Sequence, residues 1–167
     1  MALISFHGVA MHTCGDLPAP GNLAPDFILT NQKLCDVTLA NYVRKRKLLV
    51  IVPSVDAPIC AASARRFNEK AGKLANTVVL LISADLPFAQ CRVCTTERLH
   101  GLEALSCFRS DFADIYGLKL IDGPLATLCA RAVIIIDEQD CVLYSELVTE
   151  LGKEPDYDLA LSVLQIP

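Results

Sequence analysis

Residues 47–67 read KLLVIVPSVDAPICAASARRF, and the order of residue types in this stretch decides the fold. Residues 48–52 form a continuous apolar run rich in β-branched side chains and closed by Pro53, the pattern of a buried strand. Pro53-Ser54-Val55-Asp56-Ala57-Pro58 is a turn, because two prolines fix φ and stop the strand from continuing. From Ile59 onward good helix formers predict a helix to about Ala75, with Pro58 in the first turn, where a proline is tolerated. Cys60 therefore falls in the first turn of a helix, just past the end of a central strand. Unpaired backbone N–H groups and the positive end of the macrodipole favour a thiolate over a thiol at such a place. Most cysteines in a cytosolic chain are inert small hydrophobes. The coincidence of strand, turn and helix start sets Cys60 apart from them.

Working outward, Thr77–Ser83 reads as a second apolar strand, ended by Ala84-Asp85-Leu86-Pro87. Residues 89–100 have helical composition, with Cys91 and Cys94 on one face at a spacing of three. Residues 104–106 form a short strand, and a helix over 110–116 has Ser110 or Asp111 as its cap and Gly117 as its stop. Residues 131–136 and 141–147 flank a four-residue turn and predict an antiparallel hairpin. A terminal helix begins at Pro155-Asp156-Tyr157-Asp158 and runs through Leu164. Upstream, the N-terminal segment predicts a β-hairpin, and residues 17–27 are a Pro/Gly-rich connection. Strand pieces at 27–30 and 35–39 surround the polar turn Asn31-Gln32-Lys33, and 39–42 is a brief helical turn. The expected fold is α/β and thioredoxin-like: a mixed central β-sheet flanked by helices, with an N-terminal β-hairpin, in a single domain over 1–167.

The chain has 167 residues, a formal net charge of −4 and 53% hydrophobic residues, the profile of a soluble globular protein with a proper core. It has no basic stripe interleaved with aromatics, which argues against nucleic-acid binding. The one dense basic cluster, Arg44-Lys45-Arg46-Lys47, immediately precedes the first apolar strand and reads as a solvated loop or strand entry rather than a binding patch. No apolar run is long enough to span a bilayer, and the N-terminus has no positive region before its apolar residues, so a cytoplasmic location is expected. Eight cysteines without an export signal argue for reduced thiols. Only Cys91 and Cys94 are close in sequence, and His7, His12 and His100 form no partner set, so neither a metal nor another cofactor is implied. Cys14, Cys35, Cys107, Cys129 and Cys141 read as small core or half-exposed residues.

With Cys60, Cys94 and Arg131 in view, the chain resembles the bacterial thiol peroxidases, the atypical two-cysteine branch of the peroxiredoxins. The resemblance covers essentially the whole chain. It is carried by Ala24-Pro25-Asp26-Phe27, Pro53-Ser54-Val55-Asp56, Cys60-Ala61-Ala62-Ser63 and Ser83-Ala84-Asp85-Leu86-Pro87-Phe88-Ala89-Gln90. Asp122-Gly123-Pro124-Leu125, Ala130-Arg131-Ala132-Val133 and Glu154-Pro155-Asp156-Tyr157 carry it further. The resemblance implies that Cys60 is the peroxidatic cysteine and that Cys94 resolves its sulfenic acid as an intrachain Cys60–Cys94 disulfide. It implies that Arg131 stabilises the thiolate and the peroxide, and that Pro53 shields the pocket. It also implies hydrogen peroxide and organic, including lipid, hydroperoxides as substrates, thioredoxin as reductant, and a homodimer. The two cysteines are 94 − 60 = 34 positions apart on separate helices, so forming their bond predicts local unravelling around both.

One position departs from the family pattern. Ala57 stands where the family has Thr or, less often, Ser, whose hydroxyl helps to orient the peroxide; Ser54 and Ser63 are candidate replacements. Cys91 stands where Ser is commoner. Two other functions compete with the peroxidase: a dithiol–disulfide oxidoreductase working through Cys91 and Cys94, and a redox-sensing protein whose turnover is impaired by Ala57.

Overall fold

The computed structural model describes residues 1–165. Its centre is a seven-stranded sheet built from β3 (Leu29–Thr30), β4 (Asp36–Val37), β5 (Arg46–Ile51), β6 (Thr77–Ser83), β7 (Glu103–Ser106), β8 (Ala132–Ile136) and β9 (Val142–Leu147). The order across the sheet is β4-β3-β7-β6-β5-β8-β9. β5, β6 and β7 run parallel and every other pair is antiparallel, which makes the sheet mixed as expected. β1 (Leu3–Phe6) and β2 (Val9–His12) form the separate N-terminal hairpin. Its two-residue loop, His7-Gly8, has positive φ at both positions (50° and 81°), the geometry of a type I′ turn.

The central strands read as unbroken apolar runs because both faces of the sheet are covered. Period-two alternation then sorts their side chains between two clusters. Leu48, Val50, Val79, Leu81, Val133 and Ile135 pack on one face with helices α1 (Pro58–Ala71), α2 (Pro87–Thr96) and α4 (Tyr157–Leu164). Leu49, Ile51, Leu80, Ile82, Ile134 and Ile136 pack on the other, with Phe27, Phe112 and Tyr116. Phe67 of α1 is fully buried in the first cluster, and truncating such a ring to Ala costs about 3–5 kcal/mol.

Several boundaries differ from the sequence reading. α1 stops at Ala71, not near Ala75: Gly72 is the C-cap, and Lys73 N–H and Leu74 N–H close short turns onto Lys70 O and Ala71 O. α2 runs from Pro87 to Thr96, not over 89–100, because Pro87 is itself the first helical residue. It ends where Leu99 N–H returns to Cys94 O at 2.9 Å and Arg98 takes a φ of 56°. α3 is a single turn, Phe112–Ile115, closed by Gly117 at φ 68°, where a Cβ would lie 2.2 Å from Asp16 O. The pieces around Asn31 shrink to two residues each, since Asn31 Oδ1 accepts from Lys33 N–H and Cys35 N–H and replaces part of the ladder. Residues 39–42 form the expected helical turn, a 3-10 turn over Leu39–Tyr42.

The basic cluster is divided between a solvated loop and the entry of β5. Arg44 and Lys45 are exposed, but Arg46 and Lys47 belong to β5, and Lys47 is completely buried. Its ammonium donates to Asp137 O at 3.1 Å and to Asp140 Oδ1, so it ties β5 to the β8–β9 turn. A buried Lys with a carboxylate partner is indistinguishable, in sequence, from the solvated end of a basic run.

Candidate active site

Cys60 is the third residue of α1, after N-cap Ala57, Pro58 and Ile59, and is 1% exposed. Ala57 has extended geometry (φ −73°, ψ 136°) and no side-chain cap, and Pro58 has no N–H to donate. The turn that delivers this helix leaves β5 through buried Pro53 and is held by Asp85. Asp85 accepts from Ser54 Oγ at 2.9 Å, Val55 N–H at 2.8 Å and Ser83 Oγ at 2.6 Å. Gln90 Nε2 extends the network to Ser83 Oγ and Leu105 O, both at 3.0 Å.

Arg131 reaches the same place by sheet register. Ile51 pairs with Ala132, so the residue before Ala132 lies beside the residue after Ile51, where the Cys60 turn begins. The guanidinium is buried, at 3% exposure, and its Nη2 lies 3.3 Å from Cys60 Sγ and 3.1 Å from Leu151 O. Nε and Nη1 have no hydrogen-bond partner among the described residues. A buried guanidinium therefore stands beside a buried sulfur with two further donors free, a combination that suits a small acceptor molecule.

The segment before α4 closes the wall. Tyr157 OH lies 3.1 Å from Ser63 Oγ and 2.9 Å from Glu154 Oε1, and its ring meets Phe67 edge-on at 5.1 Å. Burial, chiefly, pushes the Tyr157 hydroxyl up to about 12, so it stays protonated near neutral pH. Neither serine replaces the hydroxyl absent at Ala57: Ser54 donates to Asp85, and Ser63 donates to the Tyr157 oxygen, whose own proton goes to the Glu154 carboxylate.

Cys94 lies near the end of α2, 8% exposed, in the same apolar cluster as Cys60. Burial pushes its thiol up, against an opposing hydrogen bond from Gln32. A cleft of about 450 Å³ opens beside it, lined by Gln32, Lys33, Leu99, His100 and Glu103 among others, and Cys60 is not part of its wall. All eight cysteines are free thiols, and Cys91 is exposed although it sits one turn before Cys94. Two ion pairs tie α2 to the Cys60 region: Arg92–Asp56 at 2.8 Å and Arg65–Glu97 at 2.7 Å, both at the surface. The sequence reading gave Asp85 and Gln90 no role, although both lie within a stretch that carries the resemblance. It missed Leu151 because a backbone carbonyl leaves no mark in sequence.

A parallel-stranded core that delivers a cysteine at a helix start beside a buried arginine defines a class of thiol-chemistry proteins. A family model described as Redoxin matches residues 19–161. A thiol peroxidase of Corynebacterium glutamicum is 44% identical over 98% of this chain and 99% of its own. Among solved structures, a peroxiredoxin-like protein from Aquifex aeolicus superposes with a TM-score of 0.91 at 30% identity, covering 98% of this chain and 96% of its own. A thiol peroxidase from Chromobacterium violaceum gives 0.91 at 25% identity, covering 98% and 95%. The chain belongs to the thiol peroxidases of the redoxin family. It is a peroxiredoxin-type, thiol-dependent peroxidase with the expected thioredoxin-like fold. No described helix is long and apolar enough to cross a membrane.

Proposed function

We propose that Cys60 is the peroxidatic cysteine and Cys94 the resolving one, in a cycle that reduces hydrogen peroxide and organic, including lipid, hydroperoxides. The observation that carries this is Arg131: a buried cation 3.3 Å from Cys60 Sγ with two donor nitrogens unpartnered. The Cys60 thiolate attacks the terminal oxygen of the hydroperoxide along the O–O axis. The O–O bond breaks, the departing oxygen takes a proton to leave as water or alcohol, and the sulfur becomes a sulfenic acid. Charge grows on the departing oxygen as the bond stretches, and Nε and Nη1 of Arg131 are the donors that meet it. Ala57 leaves the Cys60 end of α1 without a side-chain hydroxyl, and Pro53 closes the turn on the β5 side.

Cys94 then attacks the sulfenic sulfur and water leaves, giving an intrachain Cys60–Cys94 disulfide. Burial keeps Cys94 a thiol while α2 is docked, and exposure during opening removes that penalty and frees its nucleophile. The latches that must part are weak. Arg92–Asp56 and Arg65–Glu97 are surface ion pairs, each worth about 0–1 kcal/mol, on a helix of ten residues. Thioredoxin returns the disulfide to two thiols, and the enzyme works as a homodimer in the cytoplasm. Exposed Leu86 and Phe88 at the start of α2 offer apolar surface to either partner.

Reduced protein mixed with one equivalent of cumene hydroperoxide tests the cycle. Rapid consumption with loss of two thiols and a Cys60–Cys94 cross-linked peptide supports it. Slow consumption, or a cross-link through Cys91, overturns the assignment. Cleavage by protease within 89–96 should be faster in the oxidised than in the reduced protein; equal cleavage refutes the unravelling.

A further inference from the structure

In sequence Cys107 and Cys129 read only as small core or half-exposed residues, 129 − 107 = 22 positions apart. The structure brings them into contact, with Sγ to Sγ at 3.7 Å. Cys107 follows β7 directly, its N–H bonded to Ser83 O at 2.9 Å. Cys129 lies two residues before Arg131, bridged to Lys119, with neighbouring Ala130 N–H on Leu118 O at 2.8 Å. Both sit at the end of the sheet where Ser83 pairs with Ser106 and Ile51 with Ala132, the end from which the Cys60 turn leaves. They belong, however, to the apolar cluster on the opposite face from Cys60 and Cys94.

We propose that Cys107 and Cys129 form a second redox site, an internal dithiol that hydrogen peroxide oxidises to a disulfide independently of Cys60. A disulfide needs the two sulfurs at about 2.05 Å, so sulfurs already in van der Waals contact need to close by less than ~2 Å. The two thiols are not equivalent. The hydrogen bond shared with Cys129 pulls the Cys107 thiol down despite burial, and the same bond, with burial, pushes Cys129 up. Either sulfur can donate in the shared contact, and the downward shift on Cys107 favours it as the attacking sulfur. Cys107 is also the more accessible, at 7% exposure against 0% for Cys129, and it adjoins half-exposed Phe108. Such burial admits hydrogen peroxide ahead of a bulky organic hydroperoxide.

Cys107 sulfur attacks one oxygen of hydrogen peroxide, the O–O bond breaks, and water leaves with one proton, giving Cys107 sulfenic acid. Cys129 sulfur then attacks that sulfur, the S–O bond breaks, and a second water carries off the hydroxyl and the Cys129 proton. Two electrons pass from the two thiols to one peroxide. The product ties the end of β7 to the segment that leads through Arg131 into β8, so the oxidation state of this pair is built into the support of the peroxidase site.

A peptide map decides the matter. Cys60→Ser protein, which keeps seven of the eight thiols, is treated with excess hydrogen peroxide, alkylated under denaturing conditions and digested with trypsin without reduction. Cleavage after Arg98, Arg109, Lys119 and Arg131 gives peptides 99–109 and 120–131, each with one cysteine. The expected result is loss of two thiols per chain and a linked pair of these peptides, lighter than their sum by two hydrogens. Recovery of both peptides fully alkylated, in this variant and in the wild-type chain alike, overturns the proposal. Because Cys60 is absent from the variant, failure of the Cys60–Cys94 assignment leaves this readout untouched.

Discussion

Replacing Ala57 by Thr tests the site at its most unusual position. Ala57 is the N-cap of α1, with φ −73° and ψ 136°, a geometry in which a Thr hydroxyl accepts from the N–H of the second or third helical residue. Cys60 is that third residue. The cap alone is worth about 1 kcal/mol, which for a chain of this size raises Tm by roughly 2–4 °C. The hydroxyl also gains a hydrogen bond to a charged partner, the Cys60 thiolate or the polarised peroxide, worth about 1.5–3 kcal/mol. If that bond tightens in the transition state, kcat/KM rises about ten- to a hundredfold. Ala57→Val is the control, having the same shape as Thr but no hydroxyl. Stopped-flow oxidation of reduced protein by cumene hydroperoxide gives the rate, and thermal melts give the cap. Equal behaviour of the Thr and Val variants in both assays refutes the hydroxyl argument. A raised Tm with an unchanged rate confines the hydroxyl to capping and removes it from catalysis.

Other substitutions separate the remaining parts. Arg131→Met keeps the volume but removes the donors, and peroxide kcat/KM should fall about 100- to 1,000-fold with the far-UV spectrum unchanged; a loss under tenfold takes Arg131 out of the reaction. Asp85→Asn removes the charge that holds Ser54 Oγ, Val55 N–H and Ser83 Oγ, so limited proteolysis should open the 53–58 turn in the reduced protein. Unaltered protection there would leave Asp85 without the holding role. Asp140→Asn keeps the shape at a φ of 64° that Asn tolerates but uncharges the partner of buried Lys47. Urea unfolding should report a loss of about 1.5–3 kcal/mol, and no change would mean that the Asp137 carbonyl satisfies the ammonium alone.

What the sequence revealed and what it hid divide along the range of the interactions. Cys60 was legible because everything that marks it is local: an apolar run, two prolines, a helix start. The burial of β5, β6 and β8 was legible in the same way, as unbroken apolar runs rich in β-branched residues, while the sorting of their side chains between the two faces was not. Helix ends were read less well, because Gly72 and Pro87 each permit two readings that backbone hydrogen bonds decide. Lys47 and the Cys107–Cys129 pair were hidden for a different reason. A lysine in a basic run and two cysteines 22 positions apart acquire meaning only from partners that the fold supplies.

Arg131 shows how the local and the distant parts are joined. Val133 and Ile135 face the cluster that contains Cys60, while Ala132, Ile134 and Ile136 face away. Residue 131 shares the parity of 133 and 135, so the guanidinium emerges on the Cys60 face at the point where β5 ends. A slip of one residue in the β5–β8 register would send it to the opposite face and put the charge among Phe112 and Tyr116. The uniformly apolar residues 132–136 do not choose between the faces; the cost of burying the guanidinium among aromatic rings, away from Cys60 Sγ and Leu151 O, does. The strand that closes the core therefore also carries the one charge the chemistry needs to its place, and a core substitution that loosened this register would be read first as lost peroxidase activity rather than as lost stability.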